Sequence, residues 1–239
     1  MPREELSILK GLKRGREIPG AEERKRQSEQ FWASRPAVGY VLAGGASSRF
    51  ERDKALAELG RKTVLERMLD LLRESGVREA IIVGPKAKYG RFRARCVKDT
   101  WPGEGPLGGI ITALQKAGVD KYGYRWSLIL SCDMPFLTIE WLRFLIERAL
   151  QSGADVVMPE SAHGWEPLCA CWRVSAAAKI LPLFKAGTRK VTEALKALDV
   201  EVLDETRWKR FDSAGRLFWN MNTPQDYEEA LRIWRTEQE

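Results

Sequence analysis

The stretch VGYVLAGG, residues 38–45, is an apolar run of β-compatible residues that ends in two glycines. A helical pattern follows it over residues 63–75, where apolar side chains recur every three or four positions and Gly76 marks the end. A strand that leads through a glycine turn into an amphipathic helix is the beginning of a βαβ unit. This stretch therefore predicts an α/β fold.

The same alternation continues along the chain. Further strands are predicted at residues 80–83, 95–98, 127–130, 155–158, 168–172, 200–203 and 218–221, and further helices at 105–117, 138–151, 174–184, 191–198 and 223–236. Alternating strands and helices predict a mostly parallel sheet with helices on both faces. Ligands of such sheets bind beyond the carboxyl ends of the strands. The loops that follow Leu42, Val83, Lys98 and Leu130 are therefore the first places to expect a site.

The loop from Leu42 to Lys54 has the composition of a phosphate-binding segment. Its glycines allow close approach of the backbone to a ligand, and Arg49 and Lys54 supply positive charge. The spacing fits neither G-x-G-x-x-G nor G-x-x-x-x-G-K-[ST], which disfavours a dinucleotide-binding Rossmann motif and a P-loop. The alternative is a plain Gly-Gly turn with solvated Arg and Lys.

Two aspartates follow predicted strands. Asp133 comes directly after the apolar strand at 127–130, where a carboxylate is costly unless its charge is offset, and Mg²⁺ bridging triphosphate oxygens would offset it. Asp99 follows the strand at 95–98 and is a weaker candidate. An ordinary turn explains either residue as an alternative.

Four weaker signals come later in the sequence. The glycine-rich segment 103–110, which contains Gly108, suits a flat base lying on the backbone or a tight loop under the sheet. Glu166-Pro167 precedes a strand, and Arg189 lies in a Gly-Thr-Arg turn. Asn220 and Asn222 come just before the last helix, where helix capping is an alternative role.

Composition excludes several classes of protein. The 239 residues are 44% hydrophobic and contain nine Trp, which argues against disorder, and no apolar run reaches the length of a membrane span. The four cysteines have no C-x-x-C spacing and the single histidine, His163, cannot build a His-rich metal site. The N-terminus lacks a signal peptide, so we expect a cytoplasmic protein.

Charge and segment composition divide the chain. The net charge of +7 suits polyanionic small molecules and also weak nucleic-acid binding. Residues 1–36 form a basic, polar N-terminal extension, with a short helix expected at residues 4–13, and residues 37–239 form the predicted catalytic domain. The extension is interpreted as a solvated tail, with an oligomer contact or a polyanion-binding arm as alternatives.

Taken together, the motifs resemble the molybdenum cofactor guanylyltransferases. Leu42-Ala43-Gly44-Gly45 with Arg49, Asp53 and Lys54 is similar to the family signature L-A-G-G-x-x-x-R-M-G-x-D-K. The segments CDMPFL (132–137), GPLGG (105–109), EPL (166–168) and NMNTP (220–224) match in the same order. The resemblance covers residues 37–236. Related cytidylyltransferases tend to have Ala-Ala-Gly and Asp-x-Asp-Thr-Pro at the corresponding positions.

The resemblance implies a three-layer α/β/α sandwich, with a Rossmann-like, mostly parallel sheet of the nucleotide-diphospho-sugar transferase type. It also implies transfer of GMP from GTP to molybdopterin, with Mg²⁺ on Asp133 and catalysis by Arg49, Lys54 and Asp133. The nucleotide-binding residues carried over are Leu42, Ala43, Gly44, Gly45, Lys54, Gly84, Asp99 and Gly108. The acceptor-binding residues are Glu166, Pro167, Arg189, Asn220 and Asn222.

One departure from the family pattern is Phe50-Glu51, which replaces Met-Gly. Either Glu51 points outward or triphosphate binding is weakened. The alternative functions are a nucleotidyltransferase with another base or acceptor, such as CTP or a sugar 1-phosphate, and a non-catalytic nucleotide-binding protein. A third alternative, a nucleic-acid-binding module, is supported only by the positive net charge. The expected partners are GTP and molybdopterin, with transient contacts to molybdenum-insertion or molybdoenzyme proteins, and no nucleic acid or membrane.

Overall fold

A computed structural model describes residues 37–44 and 53–236 of the chain. Its main sheet has eight strands, of which seven follow the order β10-β7-β9-β6-β1-β4-β5, while β8 pairs only with β7. A two-stranded ribbon, β2-β3, stands apart from it. The strands are β1 Ala37–Leu42, β2 Glu58–Leu59, β3 Lys62–Thr63, β4 Ala80–Val83, β5 Arg95–Val97, β6 Trp126–Ser131, β7 Val156–Ser161, β8 Gly164–Trp165, β9 Cys169–Arg173 and β10 Val200–Leu203.

The centre of the sheet is parallel. β1 pairs in parallel with both β4 and β6, β4 with β5, and β10 with β7. β9 runs antiparallel between β6 and β7, and β8 is antiparallel to β7. Parallel neighbours need a crossover connection, which the intervening helices provide. The prediction of a mostly parallel sheet is confirmed.

The helices begin and end at recognisable capping residues. Thr63 and Glu66 form a capping box at the start of α1, and Gly76 closes that helix with a φ of 96°. Thr138 caps α4 through the amide of Trp141. The helices are α1 Val64–Ser75, α2 Lys86–Tyr89, α3 Pro106–Gly118, α4 Ile139–Gln151, α5 Ala177–Lys185, α6 Val191–Leu195, α7 Glu205–Trp208 and α8 Pro224–Thr236.

Alternate residues of β1 face two different helix layers. Val38 and Tyr40 belong to a buried cluster that also contains apolar residues of α3 and α5. Gly39 faces α1 instead, since a Cβ atom there would lie 2.8 Å from Leu72 Cδ2. The sheet is therefore covered on both faces, and the predicted three-layer sandwich is confirmed.

One predicted strand is wrong. Residues 218–221 form no strand, although Phe218 and Met221 are buried. Phe218 packs edge-on against the rings of Trp141 and Trp208, and the amide of Met221 donates to the carbonyl oxygen of Asp133 at 2.7 Å. Burial of aromatic surface, and not a sheet ladder, explains the apolar composition of this segment.

Several short elements were not predicted, namely the β2-β3 ribbon, β8, α2 and α7. The predicted helix at 174–184 divides into a 3₁₀ turn and α5, and α6 ends at Leu195. The expected extension at residues 1–36 lies outside the described residues, so the domain boundary stays a prediction. Within the described ranges no helix is long and apolar enough to cross a membrane.

Candidate active site

A cleft of about 440 Å³ opens at the carboxyl ends of β1, β4 and β6. The parallel pairing of these strands brings the loops that follow them to the same edge of the sheet. The residues that line the cleft are Leu42, Ala43, Gly44, Asp53, Lys54, Ala55, Val83, Asp99, Gly103, Gly105, Pro106, Gly109, Ser131, Cys132, Asp133 and Leu168. Six of the predicted site residues are therefore brought together here: Leu42, Ala43, Gly44, Lys54, Asp99 and Asp133.

Lys54 begins a 3₁₀ turn, Lys54–Leu56, that Asp53 caps by accepting from the amide of Ala55 at 3.0 Å. The Lys54 ammonium donates to Asn222 Oδ1 at 2.9 Å. Burial lowers the pKa of Lys54, while the carboxylates of Asp133 and Asp226 act in the opposite direction. A partly desolvated ammonium in the cleft attracts an anionic ligand more strongly than a solvated one does.

Asp133 lies two residues beyond the carboxyl end of β6 and is half-buried. Its Oδ1 accepts a hydrogen bond from the Ser131 hydroxyl, and its carbonyl oxygen accepts from the amide of Met221. The side chain and the main chain of Asp133 are thus both held in place. The carboxylate faces the same cleft as Lys54.

Asp99 lines the cleft and also stabilises the turn that follows β5. Its Oδ1 accepts from the amide of Trp101 at 3.0 Å and from the Thr112 hydroxyl at 2.8 Å. The two interpretations of Asp99, as a turn residue and as a site residue, are therefore compatible. Its side chain stabilises the turn, and the residue also lines the cleft.

Gly84 and Gly108, which were also predicted to contact a nucleotide, do not line the cleft. Gly84 is buried at the end of β4, where a Cβ atom would lie 2.9 Å from Tyr89 Cε2. Gly108 packs on Trp101, whose Cβ atom would be 2.9 Å from a Cβ at that position. Gly109 lies in the lining instead. The close packing of both glycines against aromatic residues accounts for their lack of a side chain.

None of the five predicted acceptor-binding residues lines the cleft, although Leu168, next to Pro167, does. Asn222 contacts Lys54, as described above. Arg189 donates to Glu104 Oε2 at 2.6 Å and so joins the start of α6 to the loop before α3. Asn220 donates to the carbonyl oxygen of Phe218 at 3.3 Å.

Glu166, another predicted acceptor-binding residue, is buried. Its Oε1 accepts from the Ser161 hydroxyl at 2.7 Å. Burial raises the pKa of Glu166 and the Asp133 carboxylate acts in the same direction, while the Ser161 hydrogen bond opposes them. Ser161 is thus a hydrogen-bond partner of Glu166 within the protein. Contact of Glu166 with the acceptor substrate stays a prediction.

Arg49, Gly45 and Glu51 lie outside the described residues. Their predicted roles stay predictions.

Sequence reasoning did not assign a role to Tyr89 or Ser131. Tyr89 contacts both Ala43 and Asp53, and Ser131 contacts Asp133. Ser131 lies two residues before Asp133, so proximity to a predicted site residue was an available signal for it. Tyr89 lies in a segment without a predicted motif and carries no such signal. Pro106 and Gly109 line the cleft and belong to the glycine-rich segment 103–110 that the sequence indicated.

A metal centre built from protein side chains alone is not found in the described part of the chain, where no group of three or more His, Cys, Asp and Glu residues converges. Three aspartates line the cleft, Asp53, Asp99 and Asp133, and Mg²⁺ is commonly held by one or two carboxylates together with phosphate oxygens and water. Asp53 caps the turn at Lys54 and Asp99 stabilises the turn after β5, so Asp133 is the candidate ligand.

The strand ends of a mostly parallel sheet thus present a lysine, aspartates and several glycines to one ligand-sized cleft, as a nucleotide-binding site requires. A family model described as the MobA-like NTP transferase domain matches residues 39–202. The chain belongs to this family and is a nucleotidyltransferase.

Its relatives include a protein of Pelotomaculum thermopropionicum named probable molybdenum cofactor guanylyltransferase. The two are 33% identical over 195 residues, which covers 81% of this chain and 91% of that one. Molybdopterin-guanine dinucleotide biosynthesis protein A from Archaeoglobus fulgidus has a similar structure, with a TM-score of 0.71, 27% identity and coverage of 83% of this chain and 99% of that chain.

A more distant structure shares the fold alone. It is 2-C-methyl-D-erythritol 4-phosphate cytidylyltransferase from Thermus thermophilus, with a TM-score of 0.59, 15% identity and coverage of 82% of this chain and 98% of that chain.

Proposed function

We propose that this protein transfers GMP from GTP to the terminal phosphate of molybdenum-molybdopterin, forming the guanine dinucleotide cofactor and pyrophosphate. The observation that carries the proposal is the placement of Lys54 and Asp133 in one cleft at the carboxyl ends of β1 and β6. The names of the relatives, and the Asn-x-Asn-Thr-Pro segment at residues 220–224, support guanine and molybdopterin as the particular substrates.

The reaction is an in-line displacement at the α-phosphorus of GTP. An oxygen of the pterin phosphate forms a new bond to this phosphorus while the bond to the β-phosphate oxygen breaks, and pyrophosphate leaves. A phosphate is already ionised at neutral pH, so the nucleophile needs no general base. Catalysis then rests on positioning and on charge stabilisation.

Lys54 supplies positive charge where negative charge develops on the leaving pyrophosphate. Its half-buried position and its hydrogen bond to Asn222 restrict the ammonium to the cleft. Arg49 is proposed as a second cation for the same phosphates.

Asp133 is the residue that would hold Mg²⁺. The ion, when bound, would neutralise charge on the triphosphate. The Ser131 hydroxyl on Oδ1 orients the carboxylate. Asp133 is therefore proposed both as the metal ligand and as the residue that fixes the metal-bound end of the nucleotide.

The apolar part of the cleft suits the nucleoside. Leu42, Val83, Pro106 and Leu168 line it together with Gly109, whereas Lys54, Asp99 and Asp133 provide polar groups. A mostly apolar cavity with a few polar groups, in a volume of several hundred cubic ångströms, is typical of small-molecule sites. Glu166, Pro167, Arg189, Asn220 and Asn222 are proposed to contact the acceptor.

Contacts with molybdenum-insertion or molybdoenzyme proteins, a cytoplasmic location and the absence of nucleic-acid binding all stay predictions of the sequence.

Pyrophosphate release tests this proposal. The purified protein is assayed with Mg²⁺ and each of GTP, CTP and UTP, in combination with either molybdopterin or a sugar 1-phosphate. We expect release only with GTP and molybdopterin together. Release with another pair would assign a different base or acceptor, and no release with any pair, despite nucleotide binding, would support a non-catalytic protein.

A matched pair of variants controls the assay. Lys54→Ala removes the cleft cation, whereas Lys116→Ala removes an exposed lysine on α3. We expect turnover to fall by orders of magnitude in the first and to stay at the wild-type level in the second. Equal rates would remove Lys54 from the mechanism.

A further inference from the structure

The hydroxyl of Tyr89 lies between the two chain segments that bound the glycine-rich loop. Its oxygen is 2.5 Å from the carbonyl oxygen of Ala43 and 2.6 Å from Asp53 Oδ2, and because both are acceptors they share the single hydroxyl proton. Ala43 comes directly after β1, and Asp53 directly before Lys54. One side chain from α2 therefore contacts both ends of the segment that we propose binds the triphosphate.

Asp53 connects Tyr89 to the turn that begins at Lys54. Its Oδ1 accepts from the amide of Ala55, which caps the turn that Lys54 begins, while Oδ2 contacts Tyr89 and pairs with Lys88 Nζ at 2.5 Å. Both carboxylate oxygens of Asp53 are thus engaged. Since Asp53 and Lys54 share a peptide bond, fixing Asp53 also fixes the backbone from which the Lys54 side chain extends.

Gly84 makes room for the Tyr89 ring. A Cβ atom at position 84 would lie 2.9 Å from Tyr89 Cε2 and 3.0 Å from Cδ2, closer than van der Waals contact allows. The ring is 1% exposed. Burial raises the pKa of Tyr89, and the hydrogen bond to Asp53 acts in the same direction, so the hydroxyl keeps its proton at neutral pH.

We propose that Tyr89 is a positioning residue for nucleotidyl transfer: its hydroxyl links Ala43 to Asp53 and, through Asp53, positions the backbone that carries the Lys54 ammonium. The expected effect on kcat rests on the proposed function. The contacts by which Tyr89 positions Asp53 do not depend on the identity of the substrates. Tyr89 need not touch the nucleotide to act in this way.

The test compares Tyr89→Phe with Tyr124→Phe. Tyr124 is a second buried tyrosine, but within the described ranges its hydroxyl has no hydrogen-bond partner, so the two changes differ in the contact that is lost. For pyrophosphate release from GTP and molybdopterin, we expect kcat to fall about 10- to 100-fold in Tyr89→Phe, the range for loss of a hydrogen bond to a charged group. We expect little change in the KM of the pterin and no change in Tyr124→Phe.

A double variant distinguishes positioning from a general structural effect. If Tyr89 acts through Lys54, adding Tyr89→Phe to Lys54→Ala causes little further loss of kcat, because the ammonium to be positioned is already absent. Fully multiplicative losses would overturn the proposal.

Hydrogen–deuterium exchange gives a readout that is independent of activity. The amides of Ala55, Leu56 and Ala57 donate to Asp53 Oδ1, the Asp53 carbonyl oxygen and the Lys54 carbonyl oxygen. We expect faster exchange at these amides in Tyr89→Phe and not in Tyr124→Phe. An inactive wild-type protein with this exchange pattern would refute the proposed function while leaving the positioning intact; unchanged exchange in Tyr89→Phe would overturn the positioning.

If Tyr89→Phe does not fold, Asp53→Asn replaces it, since this change keeps the side-chain size and removes the charge that Tyr89 and Lys88 contact. Wild-type kcat and wild-type exchange in folded Asp53→Asn would likewise overturn the proposal.

Discussion

Alanine at Gly108 and alanine at Gly109 should have opposite effects, although the two glycines are neighbours in α3. A Cβ atom at Gly108 would lie 2.9 Å from Trp101 Cβ and 3.2 Å from the Trp101 carbonyl oxygen. Neither atom can move without the backbone. A Cβ atom at Gly109 would meet Leu42 Cδ1 at 3.2 Å and Cδ2 at 3.4 Å, the ends of a flexible side chain.

The magnitudes follow from these contacts. Replacing glycine by alanine inside a helix increases the free energy of unfolding by up to about 1 kcal/mol. Overpacking decreases it by about 1–3 kcal/mol. Gly108→Ala carries both effects, so we expect a net loss of about 1 kcal/mol, which lowers Tm by about 2–4 °C in a domain of this size. In Gly109→Ala the gain in helix propensity is the larger effect, because the Leu42 side chain can move, so its Tm should equal or exceed that of the wild type.

The variant that is expected to be more stable, Gly109→Ala, should be the one with weaker nucleotide binding. Gly109 and Leu42 both line the cleft, so a methyl group that pushes Leu42 reduces the space for the nucleotide. We expect a higher KM for GTP in Gly109→Ala than in Gly108→Ala. Thermal unfolding and steady-state kinetics on both variants check this. A lower Tm for Gly109→Ala together with a wild-type Tm for Gly108→Ala would refute the reasoning.

Three further predictions concern the last helix and the buried acid. Thr223→Ala removes the hydroxyl that accepts from the amide of Asp226 at 3.1 Å, so unfolding should show a loss of about 1 kcal/mol, against none for Thr206→Ala at the surface. Asn222→Ala removes one hydrogen-bond acceptor of Lys54 and should raise the KM for GTP about 2- to 10-fold; an unchanged KM would mean that this contact does not position Lys54. Burial raises the pKa of Glu166, so its ionisation opposes folding as pH rises above about 4.3. Urea unfolding between pH 4.5 and pH 8 should therefore show wild-type stability decreasing relative to Glu166→Gln, and parallel curves would contradict the assignment.

Local sequence patterns were sufficient for the elements that carry the site. The strand before Ala43 and the strand before Asp133 are continuous apolar runs, and the parallel topology then brings their ends together. This is why Lys54 and Asp133 could be predicted to share a site although they are distant in sequence. Thr63, Thr138 and Thr223 cap the helices predicted over residues 63–75, 138–151 and 223–236.

Tertiary packing decided what the patterns could not. Phe218 and Met221 have the composition of a strand, but edge-on aromatic packing and a hydrogen bond to Asp133 place them in an irregular segment before α8. Gly84 directly follows β4 and Gly108 lies in the first turn of α3, but their packing against Tyr89 and Trp101 cannot be inferred from sequence spacing. The Tyr89 contacts also depend on long-range geometry, so no local pattern indicates them.

The direct test of the central claim is the fate of the GTP phosphates. GTP carrying radioactive phosphorus at either the α or the γ position is incubated with Mg²⁺, molybdopterin and the protein, and the pterin product is separated from pyrophosphate. We predict that α-label appears in the pterin product and γ-label in pyrophosphate, and that Lys54→Ala and Asp133→Ala, but not Lys116→Ala, slow both by orders of magnitude. Transfer of γ-label to the pterin, or undiminished α-label transfer in the two cleft variants, would contradict the account.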